Sequence, residues 1–228
     1  MRENQIKLAW NEERAAVNVF LCIPSSFSAE VVASIGWDGV TVDMQHGVTD
    51  YSSLVPMLQG ITQYETAPMV RVPWNDPAII MKSLDAGAYG VICPMINTRE
   101  ECEKFVGACR YAPEGYRSTG PVRAIFYAGN DYHEHATNTI LTFAMIETQQ
   151  AVDNIDEICT VSGLDAVYIG PSDLSVSLGG SPGGDQRDPP VMERIEAILR
   201  AAHRHDIKAG IHAMTAEYAN EMVARGFD

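Results

Sequence analysis

Two acidic residues follow short apolar runs of the kind that end a buried strand: Glu147 closes LTFAMIE, and Asp173 follows AVYIGPS. Carboxylate oxygens are hard donors that suit Mg²⁺, Mn²⁺ or Co²⁺, and two of them leave coordination positions open. An α-keto acid could fill two of those positions through its keto and carboxylate oxygens. Each residue also has a plainer reading, Asp173 as a helix cap and Glu147 as a surface salt bridge. Arg71 closes PMVR. As a planar cation it could bond a keto oxygen that becomes an enolate, or it could simply pair with Asp43. His46, in DMQHG, has the proton affinity for transfer near neutrality. Asp85, in KSLDAG, is a carboxylate on the next helix that could fix the tautomer of His46. The amides of Ser172 and Asp173 open a helix, where a carboxylate binds well. His212 ends a further apolar run and is a candidate for substrate contact.

The lysines argue by elimination. Lys7, Lys82, Lys104 and Lys208 are the only four, and none ends an expected strand. Stabilising an enolate through a Schiff base needs a buried lysine in the site, so a metal must serve as electron sink instead. His133 and His135 fall in a long connection and read as solvent-exposed. His203 and His205 end a helix, where positive charge suits the dipole. Trp10, Trp37 and Trp74 read as packing residues.

These residues need a scaffold that brings strand ends together. Apolar, β-branched runs at 18–23, 39–43, 68–72, 90–94, 141–147, 166–170 and 208–212 read as strands covered on both faces. Helical stretches lie between them, at 28–35 (with Ser28 as cap), 50–61, 76–86, 98–111, 148–161, 190–205 and 216–225. Asp76-Pro77 and Thr98-Arg99-Glu100-Glu101 are helix-opening patterns. The connection 112–138 is expected to hold one short helix, and 181–190 reads as a surface loop. Seven β–α units imply a parallel sheet, and so many favour a (β/α)8 TIM barrel forming a single domain over 1–228. The chain stops at Gly226-Phe227-Asp228, where an eighth strand would begin, so the last strand and helix are expected to lie outside this sequence. In such barrels the site lies at the carboxyl ends of the strands, which is where Asp43, His46, Arg71, Glu147, Asp173 and His212 fall.

Composition bounds the function. Sixteen Lys and Arg against thirty Asp and Glu give a net charge of −14. That charge disfavours nucleic acid and anionic membrane as partners and requires local positive charge if the substrate is an anion. No apolar run reaches the roughly 18 residues that span a bilayer, and the polar N-terminus shows no secretory signal. Five cysteines without a CxxC pattern read as reduced, mostly buried thiols of a cytoplasmic protein.

The blocks DGVTVDMQHG, PMVRVPWNDP, LDAGAYGVICPM, YAPEGYRSTGP, MIETQQAVDNID and GLDAVYIGPSDLSVSLG resemble the class II, metal-dependent pyruvate aldolases. That family includes the 4-hydroxy-2-oxoheptanedioate and 2-dehydro-3-deoxyglucarate aldolases. The resemblance runs from about residue 18 to the end. It implies that Glu147 and Asp173 hold the metal, that Arg71 contacts the pyruvate oxygens, and that His46 with Asp85 forms the acid–base pair. It also implies that the amides of Ser172 and Asp173 receive the pyruvate carboxylate, that Asp43 belongs to the same rim, and that the assembly is a homohexamer. Gln45, Met145 and His212 depart from the family pattern. The implied activity is an aldehyde-lyase that reversibly cleaves 4-hydroxy-2-oxo acids to pyruvate and an aldehyde through a pyruvate enolate. A lyase acting on CoA thioesters of hydroxy acids, an oxaloacetate decarboxylase and a non-catalytic binding barrel are the alternatives.

Overall fold

The computed structural model describes residues 1–228. Its seven strands are β1 (Asn18–Leu21), β2 (Gly39–Asp43), β3 (Ala67–Arg71), β4 (Gly90–Cys93), β5 (Leu141–Ile146), β6 (Ala166–Ile169) and β7 (Lys208–Ile211). They form one sheet in the order β1 to β7, and β1–β2, β2–β3, β3–β4, β5–β6 and β6–β7 pair in parallel. Every residue of β2 through β6 is buried, as continuous apolar runs require, whereas β1 and β7, at the ends of the order, are largely half-buried. All seven expected strands are present, most of them one or two residues shorter than read from sequence.

The chain forms two compact units. Residues 1–92 and 107–141 make the first, and residues 93–106 and 142–228 the second. The first holds α1 (Gln5–Asn11), α2 (Ser26–Ala33), α3 (Tyr51–Ile61), α4 (Pro77–Asp85), α6 (Ala124–Ala128) and α7 (Tyr132–Thr139). The second holds α8 (Gln149–Asp153), α9 (Ile155–Cys159), α10 (Pro171–Ser177), α11 (Pro189–Arg204) and α12 (Ala216–Ala224), while α5 (Arg99–Cys109) contributes residues to both.

Several expectations need correcting. The cap of α2 is Ser25, whose hydroxyl accepts the amide of Ser28, so the helix starts two residues earlier than expected. The stretch 148–161 breaks at Asn154 into two short helices, and the long connection carries two helices rather than one. Helix α1 was not anticipated; Asn4 caps it, and Ile6 and Ala9 are buried. Trp74 is 58% exposed and is no packing residue. Lys208 stands at the start of β7 as read, where it pairs with Asp228, whose amide in turn donates to the Ala209 carbonyl. All five cysteines are free, and four are buried. No helix is long and apolar enough to cross a membrane.

Helix α3 shows how its residues encode both its start and its packing. Asp50 and Ser53 form a reciprocal capping box. Near the other end, a Cβ on Gly60 would lie 2.8 Å from the backbone carbonyl oxygen of Ser26 at the start of α2. In an open helix Gly→Ala stabilises by about 1 kcal/mol. Here the new methyl meets backbone, and overpacking costs about 1–3 kcal/mol. Gly60→Ala is therefore expected to lower stability in a urea titration; a gain would show that the two helices separate freely.

Candidate active site

In the first unit the register of β2 against β3 sets Asp43 directly opposite Arg71. Arg71 Nε donates to Asp43 Oδ1 at 2.9 Å and Nη2 to Oδ2 at 2.5 Å. The two side chains are only 8% and 2% exposed. This is a buried, two-pronged ion pair, the strong form of such contacts. The guanidinium carbon also lies 5.1 Å from the Phe20 ring centroid.

The segment after β2 curls back over the pair. The amides of Gln45 and His46 donate to Asp43 Oδ1, and the Thr49 hydroxyl donates to the Asp43 carbonyl. Gly47 permits the curl, since a Cβ there would lie 2.2 Å from that same carbonyl oxygen. Burial pushes the Asp43 carboxyl up, but Arg71 and the two amides outweigh it and hold the group below the usual carboxylate range. Burial and the Asp43 charge raise the neighbouring Cys22 thiol, which makes it a poorer nucleophile. Phe20 and Cys22 also line an apolar cavity of about 310 Å³ beside α2. His46 is exposed, and its ring makes no hydrogen bond within the chain.

Asp85, at the end of α4, is not hydrogen-bonded to His46. Its Oδ1 accepts Arg117 Nη2 at 2.7 Å. The Arg117 side chain is fully buried, bonds the Tyr132 hydroxyl at 3.0 Å, and lies 4.6 Å from the Tyr111 ring centroid. Burial pushes the Tyr111 phenol up to about 12, so it stays neutral beside this cation. Gly115 lets the preceding loop lie on the end of α5, because a Cβ there would come within 2.4 Å of the Gly107 carbonyl oxygen.

In the second unit Ile146 pairs with Ile169, so Glu147 and Gly170 follow side by side. Glu147 is 2% exposed, which removes the surface salt-bridge reading. Its Oε1 accepts the Met95 amide at 2.8 Å, while Oε2 faces Gly170, where a Cβ would sit 2.6 Å away. Asp173 is exposed in the first turn of α10, and its carboxylate has no hydrogen-bond partner within the chain. Gly170 is the cap of α10 and offers no side chain to the first-turn amides, among them those of Ser172 and Asp173. His212 Nδ1 lies 3.2 Å from the Tyr168 hydroxyl, and the Tyr168 ring fits because Gly210 leaves room for it.

A family model described as HpcH/HpaI aldolase/citrate lyase matches residues 17–228. The chain belongs to this family. It is 41% identical over 225 residues to a hydroxypyruvate/pyruvate aldolase of Rhizorhabdus wittichii, covering 99% of this chain and 90% of that protein. It is 34% identical to a 5-keto-4-deoxy-D-glucarate aldolase of Shigella dysenteriae, covering 98% and 87%. Among solved structures, an HpcH/HpaI aldolase/citrate lyase family protein from Burkholderia cenocepacia superposes with a TM-score of 0.90 at 27% identity, covering 98% and 90%. This chain is accordingly an aldolase, a carbon–carbon lyase.

In this aldolase the buried placement of Arg117 and the role of the Met95 amide leave no mark in the sequence. The block YAPEGYRSTGP contains Arg117, but a charged residue in a loop signals solvent, not a buried cation between two tyrosines. Met95 acts through its backbone amide, which no side-chain pattern reports.

The depressed Asp43 carboxyl carries a pH signature. Its folded pKa lies below the unfolded value of about 3.9, so the pair's contribution is complete above about pH 4 and fades as pH falls through the folded pKa. Asp43→Asn leaves Arg71 buried without its counter-charge, at a cost of about 3–5 kcal/mol near neutrality. The Tm gap between wild type and variant should be widest at neutral pH and should narrow in acid. A gap that does not vary with pH would assign the effect to packing instead.

Proposed function

We propose that this aldolase reversibly cleaves 4-hydroxy-2-oxo acids to pyruvate and an aldehyde, using a divalent cation (Mg²⁺, Mn²⁺ or Co²⁺) held by Glu147 and Asp173. The observation that carries the reading is Glu147, a carboxylate buried at a strand end with one oxygen packed against Gly170, where no side chain could be accommodated. No group of three or more His, Cys, Asp or Glu side chains that could hold a metal ion is gathered in this structure, so the pair would rely on substrate oxygens to complete its ligand set. Two carboxylates with open positions fit a hard cation that must also accept a substrate. The relatives named for pyruvate and keto-acid substrates support the same substrate class.

Bound there, the cation would act as a Lewis acid on the keto group. The chain's own residues do the rest. The first-turn amides of Ser172 and Asp173 receive the substrate carboxylate. Arg71, held in orientation by Asp43, donates to the oxygen that gains negative charge. His46 takes the proton from the 4-hydroxyl; Asp85, whose Oδ1 is held by Arg117, has its other carboxylate oxygen left for orienting that imidazole once substrate is bound. The C3–C4 bond then breaks, its electron pair passes to the C2–C3 unit as the enolate, C4 leaves as the aldehyde, and the proton taken up by His46 returns to C3 to give pyruvate. His212, tethered to Tyr168, is a further substrate contact. We read the scaffold as a (β/α)8 barrel forming one functional domain, in a cytoplasmic homo-oligomer that is a hexamer by resemblance.

The test is pyruvate release from a panel of 4-hydroxy-2-oxo acids, with CoA thioesters and oxaloacetate alongside. EDTA should abolish turnover and Mn²⁺ or Co²⁺ should restore it. Arg71→Ala should lower kcat by about 10²–10³ with a smaller change in KM, because its contact strengthens as charge develops. Full activity in EDTA, or CoA esters as the only substrates cleaved, would overturn the proposal.

A further inference from the structure

Glu147 is held in place by a residue that never touches it. Its Oε1 accepts the amide of Met95 at 2.8 Å, and Met95 has φ +56°, a left-handed backbone that an unbranched side chain adopts only when its surroundings enforce it. Asn97 bonds directly to this turn. Its Nδ2 donates to the Met95 carbonyl at 2.9 Å. Its Oδ1 accepts the hydroxyl of Thr148, the residue directly after Glu147. Its own backbone is fixed at both ends: the amide donates to Glu101 Oε2 at 2.7 Å, and the carbonyl accepts Asn154 Nδ2 at 2.8 Å. The Ile96 amide adds a bond to the Met145 carbonyl at 3.2 Å.

One side chain thus ties down both the segment that supplies the Glu147 hydrogen bond and the segment that carries Glu147. Thr148 is fixed a second time, because its hydroxyl also caps α8 by accepting the Ala151 amide at 3.0 Å. We infer that Asn97 is a positioning residue. Through the left-handed Met95 it turns one Glu147 oxygen into a fixed acceptor, so that the other is presented toward Gly170 in a single orientation. This inference rests on the reading of Glu147 as a cation ligand. The outer contacts of metal-binding carboxylates set affinity through such orientation.

The experiment measures Mn²⁺ affinity of the intact protein from the electron paramagnetic resonance signal of free Mn²⁺. Folding is checked by thermal melting without metal. Asn97→Ala should weaken Mn²⁺ binding about tenfold, and kcat should recover at saturating Mn²⁺. Adding Met95→Gly to Asn97→Ala should restore much of the affinity, since glycine takes a positive φ without steric cost. An independent pair avoids dependence on the folding of Asn97→Ala. Met95→Gly alone should bind Mn²⁺ at least as well as wild type, whereas Met95→Val, whose branched side chain opposes a positive φ, should bind more weakly. Glu147→Gln is the control. If it binds Mn²⁺ like wild type, the cation reading itself fails. If it loses Mn²⁺ while folded Asn97→Ala, or folded Met95→Val, keeps wild-type affinity, only the positioning role of Asn97 is overturned.

Discussion

A charged side chain removed from water must be met by an opposite charge or by hydrogen bonds at the place where it is buried, because the desolvation cost otherwise exceeds any gain from packing. Arg71, Asp43, Glu147 and Arg117 are all nearly inaccessible. Each is met differently. Asp43 and Arg71 neutralise each other across two strands. Glu147 takes a backbone amide. Arg117 takes a half-exposed acid and a phenol, with an aromatic face against its guanidinium. The chemistry proposed for this protein depends on those arrangements, since groups so placed keep their charge and orientation before any substrate arrives.

Parallel register does most of the placing. A shift of one residue between β2 and β3 would set Arg71 beside Met44 instead of Asp43 and would turn each side chain to the other face. The same holds in the second unit, where the register that pairs Ile146 with Ile169 sets Glu147 beside Gly170. Glycine recurs at these close approaches for a steric reason. At Gly47, Gly170 and Gly210 an added methyl would strike Asp43, Glu147 and Tyr168 respectively. The loops at the strand ends can curl tightly because the residue that must come close has no side chain.

Much of this is legible in the sequence, and the unreadable part has a physical cause. The strands announce themselves as apolar runs, and Asp43, Arg71, Glu147 and Asp173 follow them because the alternation of strand and helix leaves few other places for polar residues. Helix starts are less certain. Ser25, Ser26 and Ser28 all qualify as caps, and only the observed bond from the Ser28 amide separates them. The break within 148–161 turns on a single residue, Asn154, in a stretch whose periodicity suits a longer helix, and the long connection read as holding one short helix holds a second after Gly129. Asp85 illustrates the deeper limit. Its spacing from His46 suggests a partner for that histidine, but spacing along the chain does not reveal Arg117, thirty-two residues on, whose burial makes a carboxylate beside it obligatory. Long-range pairing of this kind is decided by what else is buried, and a linear sequence does not display that.

The acidic character of the chain can be weighed against these arrangements. At a net charge of −14 the protein repels an anionic substrate at long range. Arg71 cannot by itself reverse that, because Asp43 cancels its charge at hydrogen-bond distance and the pair is close to neutral a few ångströms away. Its contribution is therefore short-ranged and directional: N–H groups aimed at an oxygen, effective once the oxygen is in place. The positive potential that draws a keto acid in has to come from elsewhere. The uncapped first turn of α10 supplies a partial charge, and on the proposed reading a divalent cation between Glu147 and Asp173 supplies the remainder. An exposed acid without a partner in the chain, such as Asp173, adds to the repulsion unless a cation is there to meet it.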